Sequence, residues 1–323
     1  MSQTFSELTI KQQVDSLAEC VVEILNQYEL GPYETESINH EFNSTFKVIS
    51  QSGEKFALRI NVNSNRTLEN LNAEVAWVNS IIEVKVPKPV ATRGGQYVSS
   101  GWHEATGRKL SAVLYSWLEG EEPGDEPTLE QLEAAGRAMA MLHQGSSALQ
   151  LPQDAALPVL NDFYWGAADM LSAPEAGLSD EERASVDQIK TEVIQALSKL
   201  SEATSLQPIH ADLHPWNMMW HQGELAVFDF DDSGLGLPIQ DLATSLYYLD
   251  TEEQDQAFLT GYVSVRPLPE YSNEFLQLLF LQRRLILLNY LHETSNPEHR
   301  AMLSDYQAET LRRIKARVGR PID

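Results

Sequence analysis

Residues 208–241 read PIHADLHPWNMMWHQGELAVFDFDDSGLGLPIQD, a stretch in which a short apolar lead gives way to His210, Asp212, His214 and Asn217. Asp212 and Asn217 are too close for two strands and have Pro215 between them, so they share one loop. The run from Glu224 to Phe230 is strand-like and follows Gly223, which makes it the second arm of a hairpin. Such a hairpin returns Asp229 towards Asn217. One carboxylate, Asp212, is then left to act as a base, while an amide oxygen and a second carboxylate come together. Hard oxygen ligands of that kind suit Mg²⁺ held against phosphate. Asp231, just beyond, is a candidate ligand for a second metal position.

Phosphoryl transfer needs such a set. An Asp orients or deprotonates the attacking hydroxyl, and an Asn and an Asp hold the metal that neutralises charge on the transferring group. The spacing H-x-D-x-x-x-x-N, followed by a strand ending in Asp, resembles the catalytic core of the protein-kinase-like fold. More narrowly, HADLHPWN with VFDFDD and QDLA resembles the aminoglycoside phosphotransferase and choline kinase superfamily. A lone Asp in a loop is ordinarily a turn or cap residue; it is the conjunction, in this order and spacing, that carries the resemblance. The resemblance implies an α+β, bilobal protein-kinase-like fold, with a small β-rich lobe over residues 1–115 and a larger, mostly helical lobe over residues 116–323. It implies ATP and Mg²⁺ bound between the lobes, Asp212 as catalytic base, and Asn217 and Asp229 as metal ligands. His210 and Asp241 are implied as braces of the catalytic loop.

Upstream, apolar residues recur at helical steps over residues 6–30, and Gly31-Pro32 ends the run. Strand-like pieces follow at 33–39, 44–50 and 55–61, the last two joined by the turn Gln51-Ser52-Gly53-Glu54. The turn at 40–43 lacks glycine, but Asn43 and Ser44 with Thr45 and Phe46 resemble the Asn-containing loop of the superfamily. There, backbone N–H groups and small hydroxyls would meet phosphate oxygens; Asn in a hairpin is also simply a turn residue. On the third strand, Arg59 stands where the kinase fold holds a Lys against the nucleotide phosphates, and Arg can grip phosphate bidentately. Its helix partner is Glu74, which matches the family's Glu by its place before Ala76-Trp77; Glu69 competes. Strands over 96–100 and 109–117 end at Tyr115-Ser116-Trp117-Leu118, where a kinase-like fold reads adenine with backbone groups; Ser116 and Leu118 are the candidates by position.

Downstream, helices are expected at 128–144, 179–200, from Asp241 onward, at 275–292 and at 305–318. His143, at a Leu-His helix end, reads as a buried or capping residue. Asp162, Phe163, Tyr164, Trp165 and Asp169 could cage a cation, although aromatic clusters are more often core. The helix FLQLLFLQRRLILLNYLH is apolar enough to be buried, with Arg283 and Arg284 emerging at one end or pairing with acids.

The chain has 323 residues, 47 acidic against 23 basic, for a formal net charge of -24. Such a surface repels nucleic acid and anionic lipid and favours a cationic acceptor; solubility or salt adaptation accounts for it equally. No apolar run is long enough to span a membrane. Cys20 is the only cysteine, which excludes a disulfide framework or zinc cluster. With an N-terminus that lacks a signal-peptide layout, a cytoplasmic location is expected. The foremost functional expectation is transfer of the γ-phosphoryl group of ATP to a hydroxyl of a small molecule such as an aminoglycoside, choline or homoserine. Two alternatives stand beside it: a Ser/Thr protein kinase of the bacterial stress-response type, and a nucleotide-binding protein without turnover. The lack of an Ala-Pro-Glu segment after Asp229 favours the small molecule. A hydrolase using His210, Asp212 and His214 would want more metal ligands than stand there.

Overall fold

Two short helices, α1 (Ile10–Ser16) and α2 (Ala18–Leu25), stand where periodicity suggests a single helix. Thr9 caps the first by accepting the Gln12 N–H, and the fully buried Leu17 is the joint between them. The computed structural model describes residues 4–146 and 149–320, so the first residues of the polar N-terminal stretch lie outside the described residues. Next come β1 (Tyr33–His40), β2 (Asn43–Ser50), β3 (Lys55–Asn61), α3 (Leu68–Ser80), β4 (Val98–His103) and β5 (Arg108–Ser116). The five strands form one antiparallel sheet in the order β1-β2-β3-β5-β4. Strand β3 is therefore central, and its Arg59 is not an edge residue facing water. Burial alternates along β2, the sign of a strand with one face on a core. Phe46, Val48, Leu58, Ile60 and Leu114 supply that core from the sheet, and Cys20, Ile24 and Leu25 supply it from α2. Burial raises the Cys20 thiol to about 11, which leaves it an inert core residue.

The remaining elements are α4 (Leu129–Gly145), α5 (Asp180–Ala203), β6 (Gln207–Ile209), β7 (Met218–His221), β8 (Glu224–Val227), β9 (Gly234–Gly236), α6 (Pro238–Tyr247), α7 (Glu252–Val263), α8 (Asn273–Glu293), α9 (Pro297–Ala301) and α10 (Leu303–Ala316). Thr128 and Ser179 cap α4 and α5, each accepting an N–H from the third helical residue. The chain divides into two compact units. The first takes the described residues of Met1–Ser80, Val86–Glu119 and Gln150–Ala156; the second takes those of Ile81–Lys85, Gly120–Leu149 and Leu157–Asp323. The first unit carries the antiparallel sheet and the second is mostly helical, so the chain has the α+β, protein-kinase-like fold.

Helices α4 and α7 approach backbone to backbone, and glycine is the reason. A Cβ on Gly136 would collide with the Phe258 carbonyl oxygen, and one on Gly261 with the Glu133 carbonyl oxygen. The two helices thus interlock at reciprocal glycines, and this close approach bears directly on the site below. Among the described residues, no helix is long and apolar enough to cross a membrane.

Candidate active site

The loop between β6 and β7 carries Asp212 and Asn217, and it is held from several directions. Ala211 adopts φ +67°, a left-handed conformation that costs a non-glycine residue about 1–3 kcal/mol. The Asp241 carboxylate holds it there. One oxygen accepts the Ala211 N–H at 2.7 Å and the other the His210 N–H at 3.0 Å. Asp241 is fully buried and bonded in turn to His143 Nε2 at 2.8 Å, while His143 Nδ1 meets the Tyr262 hydroxyl at 3.0 Å. His143 lies on α4, and Tyr262 follows Gly261 on α7, so the glycine contact between these helices sets the far end of the brace. Burial raises the Asp241 carboxyl, but the hydrogen bonds from His143 and from the His210 N–H outweigh it and hold the group below the ordinary carboxylate range. Asp241 does not open its helix as expected. Helix α6 begins at Pro238, whose ring presets the first helical φ, and the Leu237 N–H bonds the Gln240 side chain.

His210 is fully buried, and its Nε2 lies 3.0 Å from the Phe228 carbonyl oxygen. That oxygen can only accept, so Nε2 carries the proton and Nδ1 accepts the Asp212 N–H at 3.3 Å. Desolvation lowers the pKa of the ring, in keeping with a neutral side chain that braces.

The hairpin forms as the sequence indicates. Strands β7 and β8 pair Met218 with Val227 and His221 with Glu224. Gln222 and Gly223 turn between them with φ +53° and +83°, the two left-handed residues of a type I′ turn. Beyond the paired residues the Phe228 N–H reaches the Asn217 carbonyl at 3.1 Å. This brings Asp229, the next residue, back beside Asn217. Strand β8 stops at Val227 and does not run to Phe230, because Asp229 adopts φ +60°, a conformation Asp tolerates better than most residues.

Asp212 is one-fifth exposed and has three side-chain neighbours. Asn217 Nδ2 donates to its carboxylate at 3.1 Å and to its carbonyl at 2.8 Å, and His214 Nε2 lies 3.4 Å from the same carboxylate oxygen. The third neighbour is Arg283 of α8, which ion-pairs with the other oxygen and donates to the Tyr248 hydroxyl at 2.6 Å. Burial works to raise the Asp212 carboxyl, but the Arg283 guanidinium and His214 more than offset it, leaving the group well below the ordinary range. Tyr248, whose ring lies tilted against His214 with centres 4.5 Å apart, is pushed up to about 12 by burial. Arg284 turns instead to the Tyr306 ring at 4.1 Å.

With both amide hydrogens of Asn217 directed at Asp212, the amide oxygen is what it can offer a cation. Among the described residues, no three His, Cys, Asp or Glu converge to cage a metal. The candidate hard oxygen donors for a cation are the Asn217 amide oxygen and the Asp229 carboxylate, a set that suits a divalent ion keeping several waters.

In the first unit, Arg59 Nη2 lies 2.6 Å from Glu74 Oε2, and Glu74 Oε1 accepts the Tyr115 hydroxyl at 2.9 Å. Glu69 is exposed, so Glu74 is the partner. Ser44 departs from expectation: its hydroxyl is fully buried and bonded at 2.6 Å to His40, which continues to Gln13, so the side chain ties the turn to α1. Asn43 is half-buried at the start of β2. The Ser116 N–H donates to the Lys88 carbonyl and its hydroxyl accepts the Lys88 N–H, both at 2.8 Å, so of its backbone groups the N–H is already taken. Leu118, past the end of β5, is half-buried. In the second unit, Asp162 accepts the N–H groups of Tyr164 and Gly166 as a turn residue, Phe163 and Tyr164 are core, and the cation held there is the chain's own Lys190, 2.7 Å from Asp169 and 5.5 Å from the Tyr164 ring centre.

A protein-kinase-like fold with a braced Asp, a neighbouring Asn and a hairpin-borne Asp defines a phosphotransferase. The phosphotransferase enzyme family model matches residues 35–272, and the chain belongs to that family. It is 22% identical over 281 residues to the amicoumacin kinase of Bacillus subtilis (strain 168), covering 80% of this chain and 82% of that protein. Among solved structures, an amicoumacin kinase in complex with AMP-PNP and Ca²⁺ aligns with TM-score 0.75 and 21% identity, over 98% of this chain and 96% of that one. A microcompartment-associated aminopropanol kinase aligns with TM-score 0.74 and 22% identity, over 95% and 98%. A spectinomycin phosphotransferase in complex with ADP and spectinomycin aligns at 0.58 with 13% identity, over 96% and 98%.

Proposed function

We propose that this chain transfers the γ-phosphoryl group of ATP, with Mg²⁺, to a hydroxyl of a small molecule. The observation that carries this reading is the loop clamped by Asp241 and His210. It presents Asp212 beside Asn217, with Asp229 returned by the hairpin. Asn217 and Asp229 would hold the cation, which offsets charge on the transferring phosphoryl group when bound. Arg59, fixed by Glu74, would meet the nucleotide phosphates; Asn43 and the Leu118 backbone remain nucleotide contacts by position. Asp212 accepts a hydrogen bond from the acceptor hydroxyl and takes its proton late. A carboxylate with a depressed pKa is a weak base, and a loose transition state asks little more than orientation of the nucleophile.

The acceptors named for the relatives, amicoumacin, aminopropanol and spectinomycin, set the first panel to test. The net charge of -24 favours those of positive charge. The decisive experiment is Mg·ATP turnover against these compounds, other amino-alcohols, homoserine, sugars and a generic protein substrate, beside Asp212→Ala. Turnover with a small molecule, cut about 10²–10⁴-fold in the variant while Mg·ATP still binds, is the expected result. Turnover that survives Asp212→Ala, or that appears only with the protein substrate, would overturn the reading.

A further inference from the structure

Arg283 is the one component of the site that sequence spacing gives no cause to place there, and its geometry is unusual for a structural arginine. It is buried, with a side chain 7% exposed, in the middle of a largely apolar helix. A buried cation must be paired, and its partner is the carboxylate proposed to receive the acceptor hydroxyl. The guanidinium is engaged through one nitrogen only. Nη2 donates to Asp212 Oδ1 and to the Tyr248 hydroxyl, whereas Nε is buried without a hydrogen bond. Asp212 Oδ2 meanwhile receives Asn217 and faces His214. Both carboxylate oxygens are thus occupied by the protein itself. A long, flexible side chain held through one nitrogen can give way to a ligand more readily than a bidentate fork.

On the phosphotransferase reading, we propose that Arg283 is a positioning residue that latches Asp212 and so makes phosphoryl transfer depend on the acceptor. With Oδ1 held by Arg283, a water in place of the acceptor lacks the carboxylate oxygen that would align it. Wasteful hydrolysis would require the water oxygen to bond to the γ-phosphorus. The bond from that phosphorus to the β–γ bridging oxygen would break with its electron pair leaving on ADP, and the water proton would pass to Asp212. An acceptor held by the rest of its contacts displaces Nη2 from Oδ1 with its hydroxyl and undergoes the same bond changes. Tyr248 is the second anchor and retains the guanidinium near the loop during the exchange.

The test is ADP formation from Mg·ATP without any acceptor, together with Mg·ATP binding by calorimetry. Arg283→Met should raise acceptor-free hydrolysis about 10-fold, a fraction of what a positioned base contributes. Arg283→Lys, which keeps the charge, should bring the rate back towards wild type. Tyr248→Phe should raise it by a smaller factor, and adding Asp212→Asn to Arg283→Met should abolish the gain. A residue that only supported the fold would lower the rate on removal, so the sign of the change separates the two roles. Hydrolysis by Arg283→Met equal to or below wild type, with Mg·ATP binding intact, overturns the latch. Should that variant not fold, an unchanged rate in Tyr248→Phe overturns it instead. Failure of the wild-type protein to bind Mg·ATP would strike the phosphotransfer reading itself, which distinguishes the two failures.

Discussion

The two units each bury an arginine against a carboxylate, and the pairs differ in what surrounds them. In Arg59–Glu74 the side chains are 10% and 5% exposed, and the second carboxylate oxygen is bonded to Tyr115. In Arg283–Asp212 the arginine is as buried, at 7%, but the carboxylate keeps 20% exposure on a loop held in a left-handed conformation. In the first pair both oxygens of the acid are closed off, and it acts as a tie between β3 and α3. The other leaves its acid within reach of a ligand. The same ion pair is thus a brace or a reactive group according to which partner retains access.

The largest effect that would break this contrast lies in the closed pair. Glu74→Ala leaves the Arg59 guanidinium buried and uncompensated, and should cost about 3–5 kcal/mol of stability, measured by urea unfolding. Replacing both partners by apolar residues of similar volume, Arg59→Met with Glu74→Leu, should recover most of the loss while nucleotide affinity stays low. A cost under about 1 kcal/mol for Glu74→Ala, the range of an exposed pair, would show that the tie is not a closed one.

The two pairs were also unequally legible. Glu74 follows Arg59 by only 15 residues, and the helix after β3 can reach back in only a few ways. Asp212, Asn217 and Asp229 were legible for the same reason, since a proline-bearing loop and one hairpin fix their proximity. Arg283 lies 71 residues from Asp212, on a helix whose apolar residues run nearly all round, so no periodicity says which face meets the loop. One signal could have found it: two adjacent arginines in a buried helix demand buried acids. Tertiary partners invisible in local pattern also act on two other candidates. Lys88 pairs with Ser116 and removes its N–H, and His40 turns the Ser44 hydroxyl inward.

A smaller effect sharpens the account of the second unit, where the reactive carboxylate depends on distant packing. Gly261→Ala forces a Cβ into the Glu133 carbonyl and must spread α4 from α7. A stability loss of about 1–3 kcal/mol is expected from such overpacking. Because His143 and Tyr262 lie on these helices, turnover should fall more than the loss of folded protein explains. Unchanged activity per folded molecule would mean that the brace tolerates movement of its far end.

An effect of similar size concerns Asp241, and it tests the brace through its charge. Its carboxyl lies below the ordinary range in the folded protein, because the hydrogen bonds from His143 and from the His210 N–H outweigh burial. A folded pKa below the unfolded one means that ionised Asp241 stabilises the fold at pH values above about 4, the unfolded carboxylate pKa. That contribution is lost as the pH falls from there through the folded pKa. Asp241→Asn keeps an acceptor oxygen but loses the charge, and should lower stability by about 1–3 kcal/mol near neutrality. The difference from wild type should narrow as the pH drops below about 4. Urea unfolding of both proteins from neutral to acid pH measures this directly. A difference that stays constant across that range would mean the carboxylate braces the loop by shape alone, and the contrast between a closed tie and a charged, accessible site would then rest on Asp212 without help from the charge behind it.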